Sequence, residues 1–204
     1  MPHEAIDWSE RYRTGNTPWD VGAAHPELAA RLAAPDASVR TPRPGARAFV
    51  GGCGRGHDAL ALARAGWSVV AADSAPEVEP LVAPPLAALG GRFVVGDALA
   101  FEDERAYELV FEHTFFCAID PARRADWGAL ASRLLVPGGR LVALVFPFDR
   151  PDELAGPPWR TSAALLGDAL GADFALREDV PVAHRVERRE WQERWVVFER
   201  TQEP

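Results

Sequence analysis

Residues 46–73 constrain this chain more than any other segment. They read Ala46-Arg-Ala-Phe-Val-Gly-Gly-Cys-Gly-Arg-Gly-His-Asp-Ala-Leu-Ala-Leu-Ala-Arg-Ala-Gly66, then Trp67-Ser-Val-Val-Ala-Ala-Asp73. A short apolar strand meets a glycine-rich turn, an Ala/Leu helix closes on Gly66, and a second strand ends in a carboxylate. Glycine between strand and helix lets a ligand approach backbone that any Cβ would screen. A carboxylate after the next strand can accept hydrogen bonds from ribose hydroxyls. The segment points to an adenosine-containing cofactor, and the identity of that cofactor decides the chemistry.

A chain of 204 residues suits one complete α/β domain with a sizeable core. The expected organisation is a single domain over 1–204, with a cap segment over 1–34 and an α/β core over 46–200. No window approaches the roughly 18 apolar residues of a membrane span. The polar start Met1-Pro-His-Glu-Ala-Ile-Asp-Trp8 has no signal-peptide core, so a soluble, cytoplasmic protein is expected. Cys53 and Cys117 are too few for a disulfide framework and lack partners at metal-ligand spacing, so no metal site is expected. All 22 basic residues are arginine, which excludes a phosphate-loop lysine, a Schiff-base lysine and pyridoxal chemistry. A net charge of −8 argues against a nucleic-acid footprint. Arg185, Arg188 and Arg189 alternate with Glu187 and Glu190 and read as a solvated loop or strand edge.

The first twenty residues carry Trp, Tyr, Gly and Pro and suit an aromatic segment laid over the domain. A short helix is expected over 25–34, then a loop over 35–45. Between Ser74 and Gly91, Pro76, Pro80, Pro84 and Pro85 forbid a helix longer than two turns. Strands are expected at 92–95 and 107–111, the latter leading into Glu112-His113. Asp120-Pro121 opens a helix with Trp127, Leu130, Ala131 and Leu134 on its core face, and Pro137-Gly-Gly139 stops it. An apolar strand over 140–146, a helix from Ser162 to Leu170, and strands over 174–178 and 191–198 follow. The alternation of β and α elements indicates a doubly wound, mostly parallel sheet, and the two final strands without a helix between them indicate an antiparallel edge.

The glycine turn holds two registers. Gly54-Arg-Gly56-His-Asp-Ala59 fits the G-x-G-x-x-A of nicotinamide enzymes, with Asp73 at about the right remove. Gly52-Cys-Gly54-Arg-Gly56 is the G-x-G-x-G of S-adenosylmethionine methyltransferases and begins directly at the strand end. Asp97 after the third strand is well placed to accept from an adenine amino group, which favours the second register. Asp73 and Asp97 can also serve simply as helix N-caps.

Trp8-Ser-Glu-Arg-Tyr-Arg-Thr-Gly-Asn-Thr-Pro-Trp-Asp-Val-Gly22, Gly52-Cys-Gly-Arg-Gly-His-Asp58, Leu109-Val-Phe-Glu-His-Thr-Phe-Phe-Cys-Ala-Ile119, Pro137-Gly-Gly139 and Gly156-Pro-Pro-Trp159 together resemble the thiopurine S-methyltransferase family. The resemblance is greatest to its thiol, thiocyanate and halide methyltransferase branch and runs from Trp8 to the final strand. It implies a class I methyltransferase fold with a seven-stranded sheet whose last strand is antiparallel. It implies S-adenosylmethionine as cofactor, a small-molecule acceptor and a monomer. By the same resemblance, cofactor contacts fall on Trp8, Tyr12 and Trp19 of the cap and on Gly52, Cys53 and Gly54 of the turn. Asp73 with Ser74 takes the ribose, Asp97 with Ala98 the adenine, and Glu112 or His113 lies near the methionine end. Trp19, Phe115, Phe116, Pro158 and Trp159 are the implied acceptor walls.

Aromatic faces attract a sulfonium cation, and the competing reading is that the rings, Trp8 above all, simply pack the cap onto the domain. His113 beside Glu112 is the candidate general base, or else only a cofactor contact. Phe115 and Phe116 can be core, as Cys117 is expected to be, and Cys53 reads as a small turn residue. Three departures from pattern stand out. Val50 replaces the acid that many methyltransferases carry two residues before the first glycine, Gly51 replaces a frequent proline, and the proline-broken segment 75–89 lacks the regular helix. A nicotinamide-dependent oxidoreductase and a catalytically silent binding protein on the same scaffold are the competing readings.

Overall fold

Alternation of apolar residues between two buried faces sets the architecture. In a strand, neighbouring side chains point to opposite faces, and Ala48, Phe49 and Val50 are all at most 4 % exposed, so both faces of that strand are covered. The computed structural model describes residues 6–34, 38–39, 42–103 and 107–201. Its seven strands are β1 (Arg47–Gly51), β2 (Ser68–Asp73), β3 (Arg92–Val95), β4 (Tyr107–His113), β5 (Leu135–Val145), β6 (Phe174–Pro181) and β7 (Arg194–Arg200). They form one sheet in the order β3-β2-β1-β4-β5-β7-β6. The first five are parallel, and β7 runs antiparallel to both β5 and β6. The expected antiparallel final strand is present, inserted inside the sheet, so that β6 forms the edge.

Six α-helices among the described residues complete the fold: α1 (Trp8–Arg13), α2 (Pro26–Ala33), α3 (His57–Arg64), α4 (Glu79–Ala88), α5 (Arg124–Leu134) and α6 (Ala163–Leu170). On one face, Phe49, Val110 and Leu141 pack with Trp127, Leu130 and Leu134 of α5 and Leu166 of α6. On the other, Val50, Val69 and Phe111 pack with Leu28 of α2, Leu62 of α3 and Val82 and Leu86 of α4. Among the described residues, no helix is long and apolar enough to cross a membrane. From β1 the chain winds outward to β2 and β3, then returns to place β4 on β1's other side. The carboxyl ends of β1 and β4 therefore flank the crevice where open α/β sheets bind ligands.

The proline-rich connector departs from expectation. A 3-10 turn over Pro76–Val78 leads into α4, ten residues long with Pro84 and Pro85 inside it. Those prolines remove the donors for the carbonyls of Pro80 and Leu81, but both of these residues are exposed, where water can replace the donors. Val82 and Leu86, one turn apart, are fully buried and hold the helix to the sheet, each worth about 1.5–3 kcal/mol. Pro137-Gly-Gly139 does not stop α5 either. The helix ends at Leu134, β5 begins at once, and the pairing jumps from Tyr107↔Leu135 to Leu109↔Arg140, so the glycines form an irregularity within β5. The last strand starts at Arg194, later than expected, because Gln192 and Glu193 are drawn into contacts with other loops.

Candidate functional site

The turn between β1 and α3 is built on left-handed backbone, with φ of +59° at Gly52, +54° at Gly54 and +72° at Gly56. Side chains make that conformation costly, and glycine does not. Cys53 N–H donates to Ala72 O at 3.0 Å and Gly56 N–H to Cys53 O at 3.0 Å. Asp73 completes the turn: Oδ2 accepts from Gly54 N at 2.8 Å and Oδ1 from Ala75 N at 3.0 Å. Burial pushes the Asp73 carboxyl above the ordinary range, against the pull of its backbone donors. Each oxygen keeps capacity for a second bond, so the geometry fits a ribose acceptor as well as a cap. Ser74 beside it is exposed.

Two side chains lie against the backbone that glycine leaves bare. A Cβ at Gly52 would stand 2.3 Å from Cδ2 of Phe115, and one at Gly54 would stand 2.9 Å from the Tyr12 hydroxyl. Tyr12 belongs to the cap, where Trp19 meets Trp8 edge-on at 5.4 Å and Tyr12 at 5.8 Å. Trp19 Nε1 donates to Tyr12 Oη at 3.3 Å. Burial and the neighbouring Asp73 push the Tyr12 hydroxyl pKa upward, so it remains a neutral phenol. Asp97 caps the 3-10 turn Ala98–Ala100 through Leu99 N at 3.0 Å and pairs with Arg123 at 2.9 Å. Ala98 is buried beside Gly51.

At the end of β4, Glu112 accepts from the N–H groups of Phe115 and Phe116, each at 2.8 Å. Burial outweighs those donors and pushes its carboxyl up to about 7. The bonds fold a tight turn in which Thr114 takes φ +62°, turning Phe115 over Gly52. Phe116 is fully buried against Trp127 at 4.8 Å. Burial also raises the thiols of Cys53 and Cys117, so both stay protonated. Trp159, half-buried with Pro158, donates its backbone N–H to Cys117 O at 2.7 Å and packs on Gly156.

His113 sits in a buried polar network. Its Nδ1 lies 2.7 Å from Asp58 Oδ2, and its Nε2 lies 2.9 Å from Arg189 Nη2. A guanidinium only donates, so Nε2 must accept and Nδ1 must carry the proton. Arg189 also binds Glu193 Oε1, which stands 2.9 Å from His25 Nε2. His25 Nδ1 accepts from Glu27 N at 3.1 Å, and His25 N–H donates to Asp58 at 2.8 Å. Burial lowers the His113 pKa despite Asp58. Burial opposes ionisation of Glu193, but His25, Arg189 and the Val186 N–H hold it down at about 2. The nearest ligand atoms of His25, His113 and Glu193 lie within 4.8 Å of one another, a metal-like grouping in which the Arg189 cation already takes the His113 and Glu193 atoms.

Arg189 overturns the reading of its cluster as solvated, since it is 9 % exposed. Its neighbours also make contacts: Arg188 donates to Asp20 O and Arg185 to Arg189 O at 2.8 Å. Glu193 went unnoticed in the sequence although it carried a signal. Alternation places it on one strand face between Trp191 and Trp195, a poor position for an exposed acid. A cleft over the turn is lined by Trp19, Asp20, Cys53, Arg55, His57 and His113, among others. Of the expected acceptor walls Trp19 lines it, whereas Phe115, Phe116, Pro158 and Trp159 are not among its lining residues.

The sequence model of thiopurine S-methyltransferase (TPMT) matches residues 3–201. The chain belongs to the thiopurine S-methyltransferase family. Within reach of this family member stands "Probable thiol methyltransferase 2" of Arabidopsis thaliana, 32 % identical over 161 residues, covering 77 % of this chain and 68 % of the relative. Thiocyanate methyltransferase 1 of Brassica oleracea is 35 % identical over 168 residues, covering 80 % and 70 %. Among solved structures, the fold is shared with Burkholderia thailandensis 1,6-didemethyltoxoflavin-N1-methyltransferase bound to S-adenosylhomocysteine, with TM-score 0.71, 23 % identity, and coverage of 95 % and 85 %. Membership of the thiopurine S-methyltransferase family makes this chain an S-adenosylmethionine-dependent methyltransferase and leaves the nicotinamide register of the turn without support.

Proposed function

We propose that the protein methylates a small soft nucleophile, a thiol or related sulfur such as a thiopurine or thiocyanate, or a halide, by direct in-line displacement. One observation carries this reading: the cap sets Tyr12 against Gly54 and Trp19 in the cleft over the glycine turn, with Trp8 edge-on to Trp19, at the crevice of the sheet. The cofactor, when bound, supplies an already activated methyl on a sulfonium. The chain's own task is to bind, orient and exclude water. Asp73 with Ser74 accepts from the ribose, Asp97 with Ala98 borders the adenine, and Gly52, Cys53 and Gly54 offer turn backbone that lines the cleft. Trp8, Tyr12 and Trp19 shed water around the cation, each worth about 0.5–2 kcal/mol when desolvated.

His113 has its accepting nitrogen taken by Arg189, which supports an orienting role over that of general base. A thiolate or halide needs no base, because the nucleophilic form is present as such. Glu112 acts by holding the turn that carries Phe115. Phe115 and Trp19 are the nearer acceptor walls, with Trp159 and Pro158 behind the Cys117 carbonyl and Phe116 supporting from the core. The test offers labelled S-adenosylmethionine to a panel of aliphatic and aromatic thiols, a thiopurine, thiocyanate and iodide. Transfer to at least one is expected. Transfer to none of them, with methylation of an oxygen or nitrogen acceptor instead, would overturn the acceptor class, and tight binding of NAD(H) without S-adenosylhomocysteine would overturn the reading altogether.

A further inference from the structure

Val50, standing where many methyltransferases have an acid, is 4 % exposed in the core and accepts nothing. The amino group at the methionine end of the cofactor must find its anion elsewhere. Strand order gives the direction. Asp73 on β2 and Asp97 beyond β3 lie to one side of β1 and β4 to the other. A ligand with ribose at Asp73 and adenine at Asp97 therefore carries its remaining end across Gly52–Gly54 toward β4.

In that direction the turn opens into the cleft lined by Asp20, Arg55 and His57. Asp20 comes directly after Trp19 of the cap, and its carboxylate is only 14 % exposed. Gly22 N–H donates to Oδ1 at 2.9 Å and Arg188 holds its carbonyl, so the acid is fixed in place. Arg55 Nε stands 2.9 Å from Oδ2 and His57 Nε2 stands 3.3 Å from Oδ1. Both nitrogens are shielded from solvent, yet neither makes a hydrogen bond among the described residues. Buried donors in that condition are costly, and two beside one carboxylate in a ligand cleft mark a site built for something else.

We propose that Asp20, Arg55 and His57 form the recognition site for a zwitterionic α-amino acid, with the ammonium on Asp20 and the carboxylate on Arg55 and His57. This deepens the functional reading above and rests on it, the zwitterion being the methionine end of the cofactor. A guanidinium offers several donors in a planar fork matched to a carboxylate. A fixed acid beside it presents the opposite charge, so one cluster offers a partner to each of the two groups on an α-carbon. Inserting the zwitterion exchanges a misaligned internal ion pair for two aligned ones. A ligand ending in a neutral alkyl group would leave these donors unsatisfied, which makes the site selective as well as adhesive. It also ties the cap to the turn, since Asp20 comes from the cap and Arg55 and His57 from the turn and the start of α3.

The test is equilibrium binding by calorimetry of three ligands. They are S-adenosylhomocysteine, its decarboxylated analogue, which keeps the amine, and 5′-methylthioadenosine, which lacks the amino-acid end. Arg55→Gln is expected to weaken S-adenosylhomocysteine about tenfold or more, the loss of one charged hydrogen bond. The other two ligands should change less than twofold. Asp20→Asn should weaken both amine-bearing ligands and spare 5′-methylthioadenosine, whose unchanged binding also reports an intact fold. Equal losses across all three ligands, or none for S-adenosylhomocysteine, would overturn the site. Wild-type protein binding S-adenosylhomocysteine no more tightly than 5′-methylthioadenosine would overturn it too, leaving the methyltransferase reading standing. Failure of the wild type to bind any of the three would remove that reading and the site with it.

Discussion

Glu193 shows how one side chain can matter more than its place in the sequence suggests. Its carboxylate is fully buried, Arg189 beside it is 6 % exposed at the side chain, and each is the other's opposite charge in a network completed by His25, Val186 N–H and His113. Removing one partner of a buried pair strands the other, at a cost of about 3–5 kcal/mol. Glu193→Ala is therefore expected to lower unfolding stability by that order in a urea titration. A loss below about 1 kcal/mol would mean that water reaches Arg189. The same network supports the orienting role proposed for His113. A histidine at a strand end beside an acid looks like a general base in sequence, and only the position of Arg189, 76 residues further on, shows its accepting nitrogen occupied. Asp73 and Asp97 were legible as polar residues at strand ends, and both proved to cap backbone while keeping oxygen capacity for a ligand. Asp20, Arg55 and His57 were not legible, because nothing in their spacing announces that a cap loop folds back onto the turn.

At the scale of elements, the glycine turn was the most readable part of the chain, since its alternate left-handed positions at 52, 54 and 56 accept almost only glycine. Its neighbours were not readable. Phe115 covers Gly52 because Glu112 folds the end of β4 into a tight turn more than sixty positions later. Gly52→Ala therefore meets two obstacles, a left-handed φ worth about 1–2 kcal/mol and a ring 2.3 Å from the new carbon. A clear drop in melting temperature and weakened S-adenosylhomocysteine binding are expected. Pairing it with Phe115→Ala should recover part of the stability, relieving the clash while the backbone term remains. Full recovery would show that backbone conformation at Gly52 costs nothing. The α4 helix and the β5 irregularity were misread for a common reason. Proline and glycine rules describe an isolated segment, whereas Val82 and Leu86 pin α4 from the core and Leu135 is already paired with Tyr107 before Pro137 is reached.

For the molecule as a whole, the buried network joins the loop before α2, the start of α3, the end of β4 and the segment before β7. It holds together parts of the chain that are far apart, and its titration should appear in overall stability. Glu193 has its folded pKa depressed to about 2, and Asp58, despite burial, is also depressed, chiefly by His113. Depressed carboxyls contribute stability that is fully present above their unfolded pKa, near 4, and lost as pH falls toward the folded value. His113, depressed by burial, adds a loss that begins below its unfolded pKa, near 6.5. Glu112 has the opposite sign: raised to about 7, it contributes stability in acid that is lost as pH rises through 7. Unfolding free energy should therefore fall steeply between about pH 4.5 and 2, and Glu193→Gln should flatten that limb while lowering the plateau above it. An unchanged acid limb in the variant would show that Glu193 does not titrate with folding.

The sequence by itself determined the class of fold, the position of the nucleotide-type turn and the family. The family rests on the resemblance of an ordered series of motifs from Trp8 to Trp159, and the fold class and the turn rest on local rules: alternating β and α elements, glycine's access to positive φ, and polar residues at strand ends. The tertiary structure alone decided which side chains meet over that turn. Packing brings Tyr12 and Asp20 of the cap, Phe115 beyond β4 and, behind His113, Arg189 from three separate segments to one region, and contacts between distant segments leave no periodicity in the chain that makes them.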